Sequence, residues 1–180
     1  MMQGEGKRMR ISIRKMKKED IPLKVKWIND EQNNQFLHYD LPLEQSKTEV
    51  WYEKIKDRPD RYDGIIEADG NPVGVIGILG IKENQGEYYI TLGEPSYKGK
   101  GIATEATRQI LQFAFTELGL DKIYLYTECE NIPAQKLFEK SGFRKAGTEY
   151  GKVKNRGRSV DRFYYEISRK EFEEYGYSKL

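Results

Sequence analysis

The chain has 180 residues, of which 33% are Asp, Glu, Lys or Arg and 12% are aromatic, the composition expected of a folded, soluble protein and not of a disordered one. Its 31 Lys and Arg nearly balance 29 Asp and Glu, so no bulk charge drives it onto nucleic acid or an anionic membrane. One Cys and one His exclude a disulfide framework and the usual zinc-ligand sets, so no metal is expected.

Residues 1–9 read as a flexible leader and 10–180 as a single domain. The opening MMQGEGKRMR lacks an apolar run, and Val73 to Ile81 is too short to span a bilayer, so a cytoplasmic protein is expected. Ile11 and Ile13 alternate with polar residues and predict a half-exposed strand. Asp20 precedes a helical pattern carrying Ile21, Val25 and Ile28, and Pro42 opens a second helical stretch to about Lys56 with Val50, Trp51 and Ile55 on one side. Between them, Asn29 to Leu41 reads as a polar loop with the lone His38. Strands follow over Tyr62–Ala68 and Pro72–Lys82, joined by an Asp69-Gly70 hairpin signal. The second is nearly continuous aliphatic sequence, as in a strand buried on both faces. Asn84-Gln85-Gly86 turns into a strand over Glu87–Leu92.

A long helix is predicted from Ile102, Ala106, Ile110, Phe113, Ala114 and Leu118, with Gly119 as its stop. A strand over Ile123–Thr127, a short helix over Pro133–Ser141 and two strands joined by Asn155-Arg156-Gly157 complete the chain. The order predicts an α+β fold, a mixed sheet with helices packed on it.

The informative segment is Pro95-Ser96-Tyr97-Lys98-Gly99-Lys100-Gly101-Ile102-Ala103-Thr104, between a strand and the long helix. Successive backbone N–H groups at such a helix entrance turn toward an anion, and the helix dipole favours negative charge there. Glycine lets a phosphate approach the backbone, and Lys98 and Lys100 add positive charge. The physical reading is a diphosphate site; a plain tight turn is the alternative. A P-loop string is absent, and a Rossmann fingerprint fails at Thr104.

Tyr97 to Ala103 resembles motif A of the GNAT family of N-acetyltransferases, with Lys98 where Arg or Gln is usual. Asn131-Ile132-Pro133-Ala134-Gln135-Lys136-Leu137-Phe138-Glu139-Lys140-Ser141-Gly142-Phe143 is similar to the family's downstream segment, with Phe138 in place of Tyr. The resemblance runs from about Arg10 to Ile167. The Asn155 to Asp161 hairpin resembles the ribosomal-protein and spermidine branches, whereas Trp27 to Asp30 and Trp51-Tyr52 look more like acetyltransferases of nucleotide-linked amino sugars.

The resemblance implies the GNAT fold: about seven largely antiparallel strands, a parallel splayed pair at the centre, and four or five helices. It implies acetyl-CoA as cosubstrate, with the pyrophosphate on the amides of Gly99, Lys100, Gly101, Ile102, Ala103 and Thr104. Leu92 and Gly93 would offer backbone groups to the pantetheine arm, Asn131 its side-chain amide, and Ala134 and Phe138 would line the same path. The implied acceptor is a small-molecule amine, with a protein N-terminus and a non-catalytic acyl-CoA-binding module as alternatives and a homodimer as the assembly.

Amine acetylation needs a neutral amine held against a thioester and a group to take its proton. Glu87, at the start of the strand leading to motif A, is the first candidate base, and Glu128 the second. Phe138 cannot donate a proton to the departing thiolate. Cys129 has no His nearby in sequence and reads as a free thiol, and His38 as a surface or acceptor-side residue. The basic run Lys152, Lys154, Arg156, Arg158 and Arg162 argues mildly against a polycationic acceptor.

Overall fold

Three two-residue turns shape the sheet, and the computed structural model, which describes residues 7–177, shows why they form. Strand β2 (Tyr62–Ala68) joins β3 (Asn71–Lys82) through Asp69 and Gly70 at φ 49° and 81°. Strand β3 joins β4 (Gln85–Leu92) through Glu83 and Asn84 at φ 52° and 58°. Near the C-terminus, β6 (Arg144–Asn155) joins β7 (Arg158–Ser168) through Arg156 and Gly157 at φ 53° and 78°. Two consecutive positive φ values give the turn whose twist matches that of the flanking strands. The second turn falls earlier than Asn84-Gln85-Gly86, because Gln85 and Gly86 already pair with neighbouring strands.

The remaining elements are β1 (Ile11–Lys15), α1 (Ile21–Asn29), α2 (Glu31–Asn34), α3 (Gln45–Ile55), α4 (Ile102–Thr116), β5 (Lys122–Glu128), α5 (Ile132–Lys140) and α6 (Arg169–Tyr177). The seven strands run in the order β1-β2-β3-β4-β5-β7-β6. Every neighbouring pair is antiparallel except β4 and β5, as expected of the α+β GNAT fold. That parallel pair is short: only Gln85, Gly86 and Glu87 pair with Lys122, Ile123 and Tyr124. Beyond it the strands part, and the sheet opens in its middle.

One face of the sheet carries the larger core. Ile66, Ile76, Ile78, Tyr88, Ile123 and Leu125 pack against Ile102, Ala106, Ile110 and Ala114 of α4, and against Phe138 of α5. The other face is covered by α1 and α3 through Met16, Ile21, Trp27, Ile65 and Val75. Lying between both, β3 buries Val73 through Ile78 without a break, which accounts for its unbroken aliphatic sequence. Burying one such side chain stabilises by roughly 1.5–3 kcal/mol.

Several expectations change. The second helix starts at Gln45 and not at Pro42, and it buries Thr48 and Ile55 while Val50 is 56% exposed. Asn29 to Leu41 holds the short α2, whose Asp30 cap accepts from the Gln32 N–H at 2.9 Å. The closing helix α6, whose Phe172 packs on Phe115, carries no sequence signal as strong as those of α4 and brings the α-helices among the described residues to six. Of the expected leader, residues 1–6 lie outside the described residues, and Met9 packs against the larger core.

Candidate active site

The entrance to α4 is built by backbone. Gly99 and Gly101 sit at φ 76° and 77°, and Gly101 is the residue that starts the helix. A Cβ at either would meet nothing within 4 Å, so it is conformation that calls for glycine there, not space. The helix makes its first bond from the Glu105 N–H to the Gly101 carbonyl at 3.1 Å. Among the described residues, no acceptor takes the N–H groups from Gly99 to Thr104. Six consecutive donors at a helix N-terminus form a ready anion cradle. Lys98 stands beside it with its Nζ donating to Asn33 Oδ1 at 2.7 Å, while Lys100 is exposed over the Tyr97 ring.

From the cradle a cleft of about 1700 Å³ runs to the opening between β4 and β5. Lys98, Gly99, Gly101, Ile102, Ala103, Thr104, Leu92, Asn131, Ala134 and Phe138 line it; Lys100 and Gly93 do not. Gly93 departs from its expected part because its N–H donates to the Val73 carbonyl at 2.8 Å and its carbonyl accepts from Asn33 Nδ2 at 2.9 Å. Asn131 has a second duty, since its Oδ1 caps α5 by accepting the Ala134 N–H at 3.3 Å. That bond leaves the Nδ2 end to donate. Phe138 is a core residue, edge-on to Tyr88 at 5.9 Å.

Past the opening, the cleft lies on the α1–α3 face of the sheet. Strand alternation puts Glu87 and Tyr89 on this face, together with Tyr126, Glu128 and Arg162 from β5 and β7. The Tyr89 hydroxyl donates to Asp63 Oδ1 at 2.6 Å, and Arg61 grips both Asp63 oxygens at 2.7 and 2.9 Å. Tyr89 reaches Asp63 across β3 only because residue 77 is glycine: a Cβ there would come to 2.5 Å from the Tyr89 ring. Glu128 is buried; Asn155 Nδ2 donates to it at 2.7 Å and His38 Nε2 lies 2.9 Å away. His38 therefore belongs to the acceptor side. Arg162 is spent on Glu149 at 2.6 Å and stacks over Tyr126. Of the other basic hairpin residues, Arg156 donates to Asn34, and Lys152, Lys154 and Arg158 lie outside the cleft lining.

Two ionisable groups of the cleft are withdrawn from solvent yet make no hydrogen bond among the described residues: Glu87 and Lys24. Burial pushes the Glu87 carboxyl above the usual carboxylate range, with Arg162 pulling the other way. Burial likewise brings the Lys24 ammonium down to about 8, with Asp63 acting against that shift. Cys129 stands outside the cleft lining, and burial and Asp161 push its thiol up, the opposite of what a nucleophilic thiolate needs. Lys24, Asp63 and Tyr89 were not legible as site residues, because each reads in sequence as an ordinary helix or strand position.

A sheet parted at its one parallel pair, with an anion cradle at one end and a half-buried carboxylate at the other, defines a CoA-dependent acyltransferase. The chain belongs to the acetyltransferase (GNAT) domain family, whose model matches residues 10–144, and it is an acetyl-CoA-dependent N-acetyltransferase. It is 30% identical to the SPbeta prophage-derived N-acetyltransferase YokL of Bacillus subtilis, over 91% of this chain and 92% of that protein. It is 27% identical to the spermidine N(1)-acetyltransferase of Vibrio cholerae, over 86% of this chain and 91% of that protein. The fold matches the crystal structure of the Vibrio cholerae spermidine N-acetyltransferase in complex with CoA and spermine with a TM-score of 0.84. That match is 24% identical and covers 91% of this chain and 98% of the other.

Proposed function

We propose that this N-acetyltransferase acetylates the primary amine of a small molecule by direct attack in a ternary complex, with Glu87 taking the amine's proton. The carrying observation is the continuity of one cleft from six unbonded N–H groups at α4, through the parted strands, to Glu87.

Acetyl-CoA, when bound, supplies an activated acetyl thioester. The amides of Gly99 to Thr104 hold its pyrophosphate, and Leu92, Asn131, Ala134 and Phe138 guide its arm into the opening. The amine nitrogen forms a bond to the acetyl carbon as the carbon–sulfur bond breaks. Glu87 removes a proton from the amine, and the departing thiolate takes one up. Orientation supplies most of the acceleration, and general-base help contributes roughly 10²–10⁴-fold. A carboxyl raised by burial is better matched to an amine than an exposed one.

Phe138 has no hydroxyl to protonate the thiolate, and the Tyr88 hydroxyl is paired with Thr107 at 2.7 Å. Tyr126 lines the cleft with a hydroxyl that makes no hydrogen bond among the described residues, and we assign it that role. Glu128, held by His38 and Asn155, orients the loop before α3 against the β6–β7 hairpin.

The relatives named as spermidine acetyltransferases favour a polyamine acceptor as the second reading. The test is free-thiol release from acetyl-CoA across polyamines, amino sugars, amino acids and a peptide with a free N-terminus. Turnover of a small amine with intersecting initial-velocity patterns is expected. Exclusive turnover of the peptide, or an acetyl-enzyme intermediate, would overturn the reading.

A further inference from the structure

We infer that Lys24 is an anion-binding subsite of the acceptor cleft, so that the amine acetylated by this protein carries a carboxylate or phosphate at its far end. The inference rests on the acetyl-transfer reading of the same cleft.

Lys24 lies in α1 with 3% of its surface exposed. A buried ammonium ordinarily has an anion beside it, because the uncompensated charge is costly. Lys24 has none bonded to it among the described residues. Its neighbours are rings: the Nζ stands 4.0 Å from the Trp51 centroid and 5.9 Å from that of Tyr39. The nearby carboxylate, Asp63, is already committed, with one oxygen accepting from Arg61 and Tyr89 and the other from Arg61. On α3, Lys47 is paired with Glu44 at 2.8 Å, and Asp40 is exposed on the rim.

The ammonium is not sealed away. Among the described residues, no wholly enclosed side-chain nitrogen or oxygen lacks a partner, and Lys24 lines the cleft. What remains open of its Nζ therefore faces the space an acceptor enters. An arriving anion would meet a positive point charge with three donors, flanked by the Trp51 and Tyr39 rings.

The position relative to Glu87 gives the acceptor's shape. Asp63, Gly77 and Tyr89 form one row across β2, β3 and β4, and Glu87 is two residues along from Tyr89. Strand spacings of ~4.8 Å and ~3.3 Å per residue place the Glu87 and Asp63 backbones about 12 Å apart. Lys24 lies near enough to Asp63 to feel its charge and lines the same cleft, so an acceptor that reaches from Glu87 to Lys24 needs a spacer longer than that of glycine. A polyamine would bring a second cation to Lys24, where like charges repel.

The experiment is a ladder of ω-amino acids, from glycine to 8-aminooctanoate, each measured against the alkylamine that lacks its carboxylate. O-phosphoethanolamine against ethanolamine and glucosamine 6-phosphate against glucosamine form the phosphate arm. In the parent protein, at least one matched pair is expected to show kcat/KM about tenfold or more in favour of the anionic member, as a charge-assisted hydrogen bond allows. The carboxylate ladder should peak beyond glycine. Lys24→Met should bring the ratio toward one, and Lys24→Gln substitutes should the first variant not fold. Calorimetric binding of the N-acetylated ω-amino acids to the CoA-saturated protein reads the subsite without turnover. An inactive protein that still binds them through Lys24 would sink the transfer reading and keep the subsite. A ratio at or below one in every parent pair, with no binding of the acetylated acids, would overturn the subsite. A ratio that survives both variants would do the same.

Discussion

The two ends of the cleft are made from different materials. At α4 the chemistry is backbone: six consecutive N–H groups that no acceptor among the described residues takes, at a turn set by two glycines in the left-handed conformation. At the acceptor end it is side chains, with Lys24 from α1, Asp63 from β2, Glu87 and Tyr89 from β4, Glu128 from β5 and Arg162 from β7 converging on one face. On the proposed reading the first end recognises the invariant part of the cosubstrate through its backbone. On the same reading the second selects an acceptor. Its Tyr89, Glu128 and Arg162 are held by partners from other stretches of chain, while Glu87 and Lys24 make no hydrogen bond among the described residues. A change at the first end should therefore read out as cosubstrate affinity, and a change at the second as turnover or acceptor choice.

The sharpest break between them is expected at Glu87. Glu87→Gln keeps size and hydrogen-bonding shape, so kcat should fall by roughly 10–10³-fold with little change in acetyl-CoA affinity. The base acts when ionised, and burial raises its pKa, so the acid limb of the parent's kcat/KM profile should lie above the ordinary carboxylate range. Raising the pH should restore part of the variant's loss, because more of the amine is then neutral unaided. A variant with parental kcat from pH 6 to 9 would remove Glu87 as base.

Gly101→Val attacks the other end. A β-branched residue at φ 77° is strained, and the loop should relax away from the cradle geometry at a cost of roughly 1–3 kcal/mol. The dissociation constant for acetyl-CoA should rise by about 10–100-fold, measured by calorimetry, with the fold retained. An unchanged constant would separate the cradle from cosubstrate binding.

Gly77→Ala probes the acceptor floor. The new Cβ would crowd the Tyr62 carbonyl and the Tyr89 ring, displacing the Tyr89–Asp63 contact. Overpacking of this kind costs about 1–3 kcal/mol. Acceptor KM should rise several-fold while the acetyl-CoA constant holds; equal effects on both would mean the two ends are not separable.

The smallest effect expected is on stability, at Lys24. Its folded pKa of about 8 lies below the 10.5 of an unburied lysine. The folded state is therefore penalised fully below pH 8, and the penalty fades as pH rises toward 10.5. Lys24→Met should stabilise the fold at pH 7 by a net of about 1–2 kcal/mol after loss of the Trp51 contact, seen as a higher Tm, with the gain shrinking above pH 8. A lower Tm at pH 7 would show Lys24 to be a net support of the fold.

The contrast also explains what could be read from sequence. Gly99 and Gly101 sit two residues apart, and Asn131 opens the helix that holds Phe138, so each lies within one local motif. The Asp69-Gly70 turn and the aliphatic run of β3 were legible for the same reason: local rules decide them. Lys24, Asp63 and Tyr89 meet only through the register of β2, β3 and β4, which no single segment carries. Gly93 was misplaced by the same limit, since the Val73 and Asn33 groups that occupy its backbone come from elsewhere in the chain. Val50 looked like core by spacing beside Trp51 and Ile55, yet α3 buries Thr48 with Ile55 and leaves Val50 exposed.

The central claim is that the amides at the start of α4 hold the cosubstrate, and amide NMR during titration with CoA tests it most directly. The N–H resonances of Gly99 to Thr104 should move together and saturate at one constant, with Gly101→Val weakening that constant. Saturable binding that leaves those six resonances in place, and shifts others, would contradict it.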